Sequence, residues 1–265
     1  MNIFIRELKA NRKALIIWSI CMIFVVASGM GKYTAYASGG ESLNAAFSSI
    51  PSSMKALLGF GSFDLTKMSN YYAMLFIYME LVTAIHAVLL GAGIIAKEEK
   101  DRTTEFLMIK PVSRKNIITA KLLAAFVNVL VVNLVSLITS VALVGNYSKG
   151  ENLTGELVTL MVSMLIVQSI FLSLGAALAA LSRNPKSSGS LATGILMAGF
   201  VISKITDMTD KVNFLNVFSP FKYFSLEDVV NGNGLNPGIV VLSLLLTTVF
   251  SVLTYIYYQK RDLRV

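Results

Sequence analysis

A single cysteine (Cys21) and a single histidine (His86) occur in 265 residues. One cysteine has no intrachain partner, so no disulfide framework is available. One histidine with no further His or Cys cluster leaves no tetrahedral zinc set. No G-x-x-x-x-G-K-[ST] run occurs; Gly29-Met30-Gly31-Lys32 is the nearest approach and lacks both the spacing and the hydroxyl. ATP cannot be held here in the P-loop manner. Charge is scarce too, at 14% of residues, and no basic stripe with interleaved aromatics suits a nucleic acid. What the chain has is apolar: 55% hydrophobic residues and a mean hydropathy of +0.68. Soluble globular domains do not have that composition.

Six apolar runs, approximately 14–31, 72–96, 117–145, 157–181, 188–205 and 238–258, are long enough to cross a bilayer. A hydrocarbon layer of ~30 Å takes roughly 20 helical residues. Helix is required because lipid offers backbone polar groups no partner. The expected fold class is therefore an all-α integral membrane protein, one six-span domain over residues 1–265. A cleaved signal peptide is the rival for the first run, but about eighteen apolar residues exceed the roughly 7–15 of such segments. The first run is read as a retained span.

Basic residues set the orientation. With the N-terminus in the cytoplasm, sixteen of the 23 Lys and Arg fall on the inner side and seven on the outer. Both termini are expected inside a cell membrane, which explains the pI of 9.5 without a nucleic-acid partner. Residues 1–13 carry Met1, Phe4, Ile5 and Leu8 on one helical face and Asn2, Arg6, Lys9 and Lys13 on the other. That pattern predicts an interfacial elbow helix. Asn146-Tyr147-Ser148 and Asn152-Leu153-Thr154 match the glycosylation sequon, a motif short enough to arise by chance.

The most informative stretch is the charged loop at 97–116 and its continuation to Lys121. Seven basic residues and four acids surround a short apolar patch, Phe106-Leu107-Met108-Ile109, stopped by Pro111. A loop between spans needs no such patch unless it docks. Asp101 or Thr103 suits the start of a short helix, with Glu105 near its first turn. Pro111 ends that helix, and Ser113 caps the next, which runs through Arg114 into the third span.

Glu98-Glu99, Thr103, Glu105-Phe106-Leu107, then Pro111-x-Ser113-Arg114, then Lys121 resembles the cytosolic loop of ABC-2 type transporter permeases. The order of elements along the whole chain resembles them too: elbow, six spans, the tight turn Ser182-Arg183-Asn184-Pro185-Lys186, and Ser219–Phe224 between spans five and six. Arg102-Thr103-Thr104 stands where many members have Gly-Thr. The resemblance implies a permease subunit paired with a second permease, identical or paralogous. It also implies two copies of a cytosolic ATPase that bind ATP and Mg. Glu98, Glu99 and Glu105 would face that ATPase, and Phe106, Leu107 and Ile109 would pack into its groove. Residues 213–236 would form short re-entrant helices at the pathway exit, with Phe218, Pro220, Phe221, Tyr223 and Phe224 as the extracellular gate.

Polar residues within spans mark pathway or interface. Glu80 and His86 both fall in the second span, about 120° apart around the helix, so they form no metal pair. Asn128 and Asn133 in the third span and Gln168 in the fourth read as interhelical hydrogen-bonding groups. Gly175, Ala176, Ala179 and Ala180 form a small-residue stripe, and Gly91 and Gly93 are expected to do similar work. Residues 32–70 are expected as an outer loop with a short amphipathic helix. One intramembrane carboxylate and one histidine leave no catalytic set for an enzyme. The expected function is ATP-driven export of an amphiphilic cargo: a hydrophobic or amphipathic peptide, toxin or antibiotic, or a lipid-linked molecule. A sensory or immunity subunit that moves nothing is the alternative.

Overall fold

The computed structural model describes residues 2–51, 54–55, 64–101, 112–148, 152–182, 184 and 187–260. Its helices are α1 (Ile3–Ser48), α2 (Met68–Lys100), α3 (Arg114–Tyr147), α4 (Thr154–Leu181), α5 (Ser188–Met208), α6 (Leu226–Val230) and α7 (Pro237–Lys260). Two 3₁₀ segments, Asp210–Phe218 and Pro220–Lys222, lie between α5 and α6. Every regular element among the described residues is helical. All but α6 are long and apolar enough to cross a membrane. The six spans stand where the apolar runs lie.

Local chemistry explains the boundaries. Ser113 caps α3 as its sequence predicts, its hydroxyl accepting from the Asn116 N–H at 3.3 Å. Pro237 opens α7, where a missing N–H costs nothing, and the Asn236 side chain accepts from Gly238 N. Asp101 is the C-terminal cap of α2, its N–H bonding the Lys97 carbonyl at 2.8 Å.

The first helix departs from expectation. The elbow and first span form one continuous helix of 46 residues, about 69 Å long. No Gly or Pro interrupts residues 3–28, so nothing breaks it at 13–14. Its buried N-terminal face is Ile3 and Glu7, with Phe4 and Leu8 packed partly against the core, while Ile5 is exposed. The first part of the expected outer loop, up to Ser48, is therefore helix.

Helices α2 and α4 form the buried centre, α3 and α5 flank them, and α1 and α7 lie outermost. The centre closes because glycine faces backbone on both sides. A Cβ on Gly91 would lie 2.0 Å from the Leu172 carbonyl oxygen, and one on Gly175 would lie 2.3 Å from that of Val88. Gly93 differs: its added Cβ would meet nothing within 4 Å. Only Gly91 of that pair serves the packing.

The bundle has two distinct poles. At one, Arg6 reaches Glu98, and Arg114 donates to the Gln259 carbonyl at 3.0 Å. At the other, Tyr71 lies between Tyr33 and Tyr36, each ring 5.2 Å away. From this second pole the 3₁₀ segments turn back into the protein. Ser219 Oγ donates to the Gly199 carbonyl at 2.9 Å, and Gly199 lies nine residues, about 14 Å, inside the end of α5. Phe221 packs 5.2 Å from Phe171 and 5.4 Å from Phe200. The segment is re-entrant.

Candidate functional site

Two groups of charged residues stand out against the apolar bundle, one near each pole. The first lies at the base of the α2–α3 connection. Lys121, in the second turn of α3, is fully buried. Its ammonium donates to the Glu98 carboxylate and to the Ile94 carbonyl at 2.5 Å, both in the last turns of α2. Arg6 of α1 donates to Glu98 Oε1 at 3.0 Å and to Glu7 Oε1 at 2.7 Å. Lys97 approaches Glu7 Oε2 at 3.7 Å, an ionic contact beyond hydrogen-bond length.

A desolvated lysine is tolerated only where opposite charge and hydrogen bonds replace its water. Here the replacement comes from one helix for a lysine on another, and Arg6 brings in a third. Helices α1, α2 and α3 are thereby pinned together at both roots of residues 101–113.

Glu98, expected to face an ATPase, instead turns its carboxylate into the protein, where it is 6% exposed. Glu99 is half-buried one residue further on, and Arg114 holds the C-terminal turn of α7. Thr103, Glu105, Phe106, Leu107, Ile109 and Pro111 lie outside the described residues. Arg6 and Glu7 were not singled out from sequence as site residues. Their signal was a charged pair on the flank of a span, with Glu7 the only acid in the first forty residues.

The second group lines a cavity of about 420 Å³ between α2, α5 and the re-entrant segment. Glu80 enters from α2, Lys204 and Asp207 from α5, Asn216 and Lys222 from the 3₁₀ segments, and Glu227 from α6. Asp207 is shared: Oδ2 accepts from Lys204 at 3.0 Å and Oδ1 from Lys222 at 2.5 Å. Lys204 also lies 5.6 Å from the Phe200 ring centroid. Glu80, 8% exposed, is within electrostatic reach of Lys204. The sequence put Lys204 and Lys222 merely among outer basic residues. Their pairing through one aspartate depends on the chain doubling back.

Other intramembrane polar residues divide as their helix faces dictate. His86 turns away from Glu80 toward α1, its ring 5.1 Å from that of Trp18 and its Nδ1 without a hydrogen bond. Asn133 joins α3 to α4, donating to the Met161 carbonyl at 3.0 Å and to Gln168 Oε1 at 3.3 Å. Asn128 instead donates to Ala124 on its own helix. Among the aromatic residues of the re-entrant segment, Tyr223 and Phe224 are buried and Phe221 is packed, whereas Phe218 is 69% exposed. The Tyr223 hydroxyl donates to Val217 O at 2.7 Å.

The arrangement contains no described trio of acids, His or Cys able to hold a metal ion. What it offers is mechanical and electrostatic: a rigid root under one connection and a charged cavity toward the other pole. Sequence comparison agrees with that character. The profile of a family described as "ABC-2 family transporter protein" matches residues 1–263. No individual curated protein matches the chain. Six apolar helices and a match over almost the whole length lead to one assignment: the chain belongs to the ABC-2 family, as a multi-pass membrane subunit of an ABC transporter.

Proposed function

We propose that this chain is the permease subunit of an ATP-driven exporter and that its cargo is amphiphilic. ATP and Mg bind, and hydrolysis occurs, on a separate cytosolic ATPase present in two copies. A second permease subunit, identical or paralogous, completes the translocation path. The basic-residue asymmetry supports placing the termini and the 101–113 connection in the cytoplasm of a cell. Glu105, Phe106, Leu107 and Ile109 are the proposed contacts with the ATPase, with Thr103 and Pro111 setting the limits of the docking helix.

The observation that carries this reading is the ion cluster of Arg6, Glu7, Lys97, Glu98 and Lys121. A docking loop transmits force only if its roots are stiff, and here both roots are fixed to each other and to α1. Within this reading Glu98 holds the loop's root rather than touching the ATPase. Closure of the ATPase pair would then tilt α1, α2 and α3 together. The re-entrant segment would open toward the outside, with Phe221, Tyr223 and Phe224 moving against α4 and α5, and Pro220 at its turn. Phe218 would meet lipid or the second subunit.

The cargo class is tested on the assembled complex in lipid. Amphipathic peptides are expected to raise its ATP hydrolysis severalfold, and sugars of similar mass to leave it unchanged. Equal stimulation by a hydrophilic solute would remove the amphiphile from the account and leave the transporter class standing.

A further inference from the structure

The cavity between α2, α5 and the re-entrant segment has an imbalance in its hydrogen bonding. Both of its lysines are committed, since Lys204 and Lys222 each donate to an oxygen of Asp207. Two of its acceptors, on Glu80 and Asn216, are not. Among the described residues nothing donates to the Glu80 carboxylate, whose one electrostatic partner is the already engaged Lys204. Asn216 Oδ1, from the other wall, is buried and also accepts nothing. A buried acceptor without a donor is unfavourable, and a carboxylate more so than an amide.

The unmet need is therefore for N–H donors carrying positive charge. Ile77, Phe200, Phe221 and Phe224 supply apolar wall, and Glu227 with two serines supplies the remaining polar part. Aromatic faces suit both an alkyl chain and a cation. A volume of about 420 Å³ admits a headgroup and a short apolar stem, not a folded peptide.

We propose that this cavity is a binding subsite for the primary ammonium group of an amphiphile. The ammonium donates to Glu80 and to Asn216 Oδ1, while the attached chain lies against the phenylalanines. Anionic headgroups are disfavoured because both ammoniums already donate to Asp207, while Glu80 and Glu227 add two further acids to the same walls. Calling the ligand a cargo rests on the permease reading; the binding itself does not.

The test uses the full chain in phosphatidylcholine nanodiscs, with no ATPase and no nucleotide present. Dansylcadaverine, an amphiphilic primary amine, is titrated against its neutral N-acetyl derivative and a dansyl-aminohexanoate of similar length and negative charge. The amine is expected to give saturable, blue-shifted emission, with the other two at least about tenfold weaker, the effect of one lost charge-assisted hydrogen bond. Glu80→Gln keeps the side-chain volume and is expected to abolish the preference for the amine. Asn216→Ala, which alters no span, is expected to weaken the amine about threefold and keeps the test open should Glu80→Gln fail to fold. Equal binding of all three probes, tighter binding of the anion, an amine preference that survives in both variants, or no saturable signal would each overturn the proposal. None of these outcomes bears on ATPase association, so the permease reading is judged separately.

Discussion

Valine at position 91 or 175 is expected to prevent assembly of the bundle. The first β-carbon would lie 2.0 Å from the Leu172 carbonyl oxygen, or 2.3 Å from that of Val88. In both cases the obstacle is backbone, so no change of rotamer relieves it. Helices α2 and α4 must separate, and they are the centre against which the other spans pack. Overpacking a core costs about 1–3 kcal/mol when side chains can adjust, and here more than about 3 kcal/mol is expected because they cannot. The measurement is the yield of monodisperse protein and its thermal midpoint, with Gly93→Val as an internal control. That substitution adds the same atoms to the same helix but meets open space. Normal yield for all three variants would contradict the close crossing of α2 and α4.

Glu98→Ala is expected to destabilise the purified protein by about 3–5 kcal/mol, the cost of leaving a buried charge unpaired. Lys121 would retain only the Ile94 carbonyl, and Arg6 only Glu7. Adding Lys121→Met should recover much of the loss, because it removes the stranded ammonium while filling similar volume. A thermal shift series on single and double variants reads the coupling directly. A Glu98 that merely touched an ATPase would behave differently. The single variant would then keep its midpoint and lose only association, and Lys121→Met would rescue nothing.

The six spans were legible because hydropathy responds to one strong constraint, the absence of water in hydrocarbon. Ser113 was legible as a cap because its hydroxyl acts within three residues. The continuity of α1 is less legible. A two-sided pattern at residues 1–13 says which faces differ, but not whether the helix stops, and no residue there can stop it. Long-range pairings were the least visible. Glu98 and Lys121 both stood in the recognisable motif, yet their mutual contact depends on α2 and α3 lying side by side. Lys204, Asp207 and Lys222 were hidden further, because residues 210–222 must double back before the two lysines share one carboxylate. Composition does record the cost of such charges in a membrane protein, so Glu80 was found even though its neighbours were not.

The central claim is that the connection between α2 and α3 couples this subunit to an ATPase on another chain. Its most direct test is affinity purification of the tagged chain from its native membranes, comparing the natural sequence with Glu105→Ala and Phe106→Ala. Removing a buried phenylalanine anchor is worth roughly 1.5–3 kcal/mol, and a charge-assisted contact about as much. The account predicts that an ATPase co-purifies with the unaltered chain, and that each variant inserts at normal levels but retains less than about a tenth of it. Full ATPase association and full transport in both variants would contradict it.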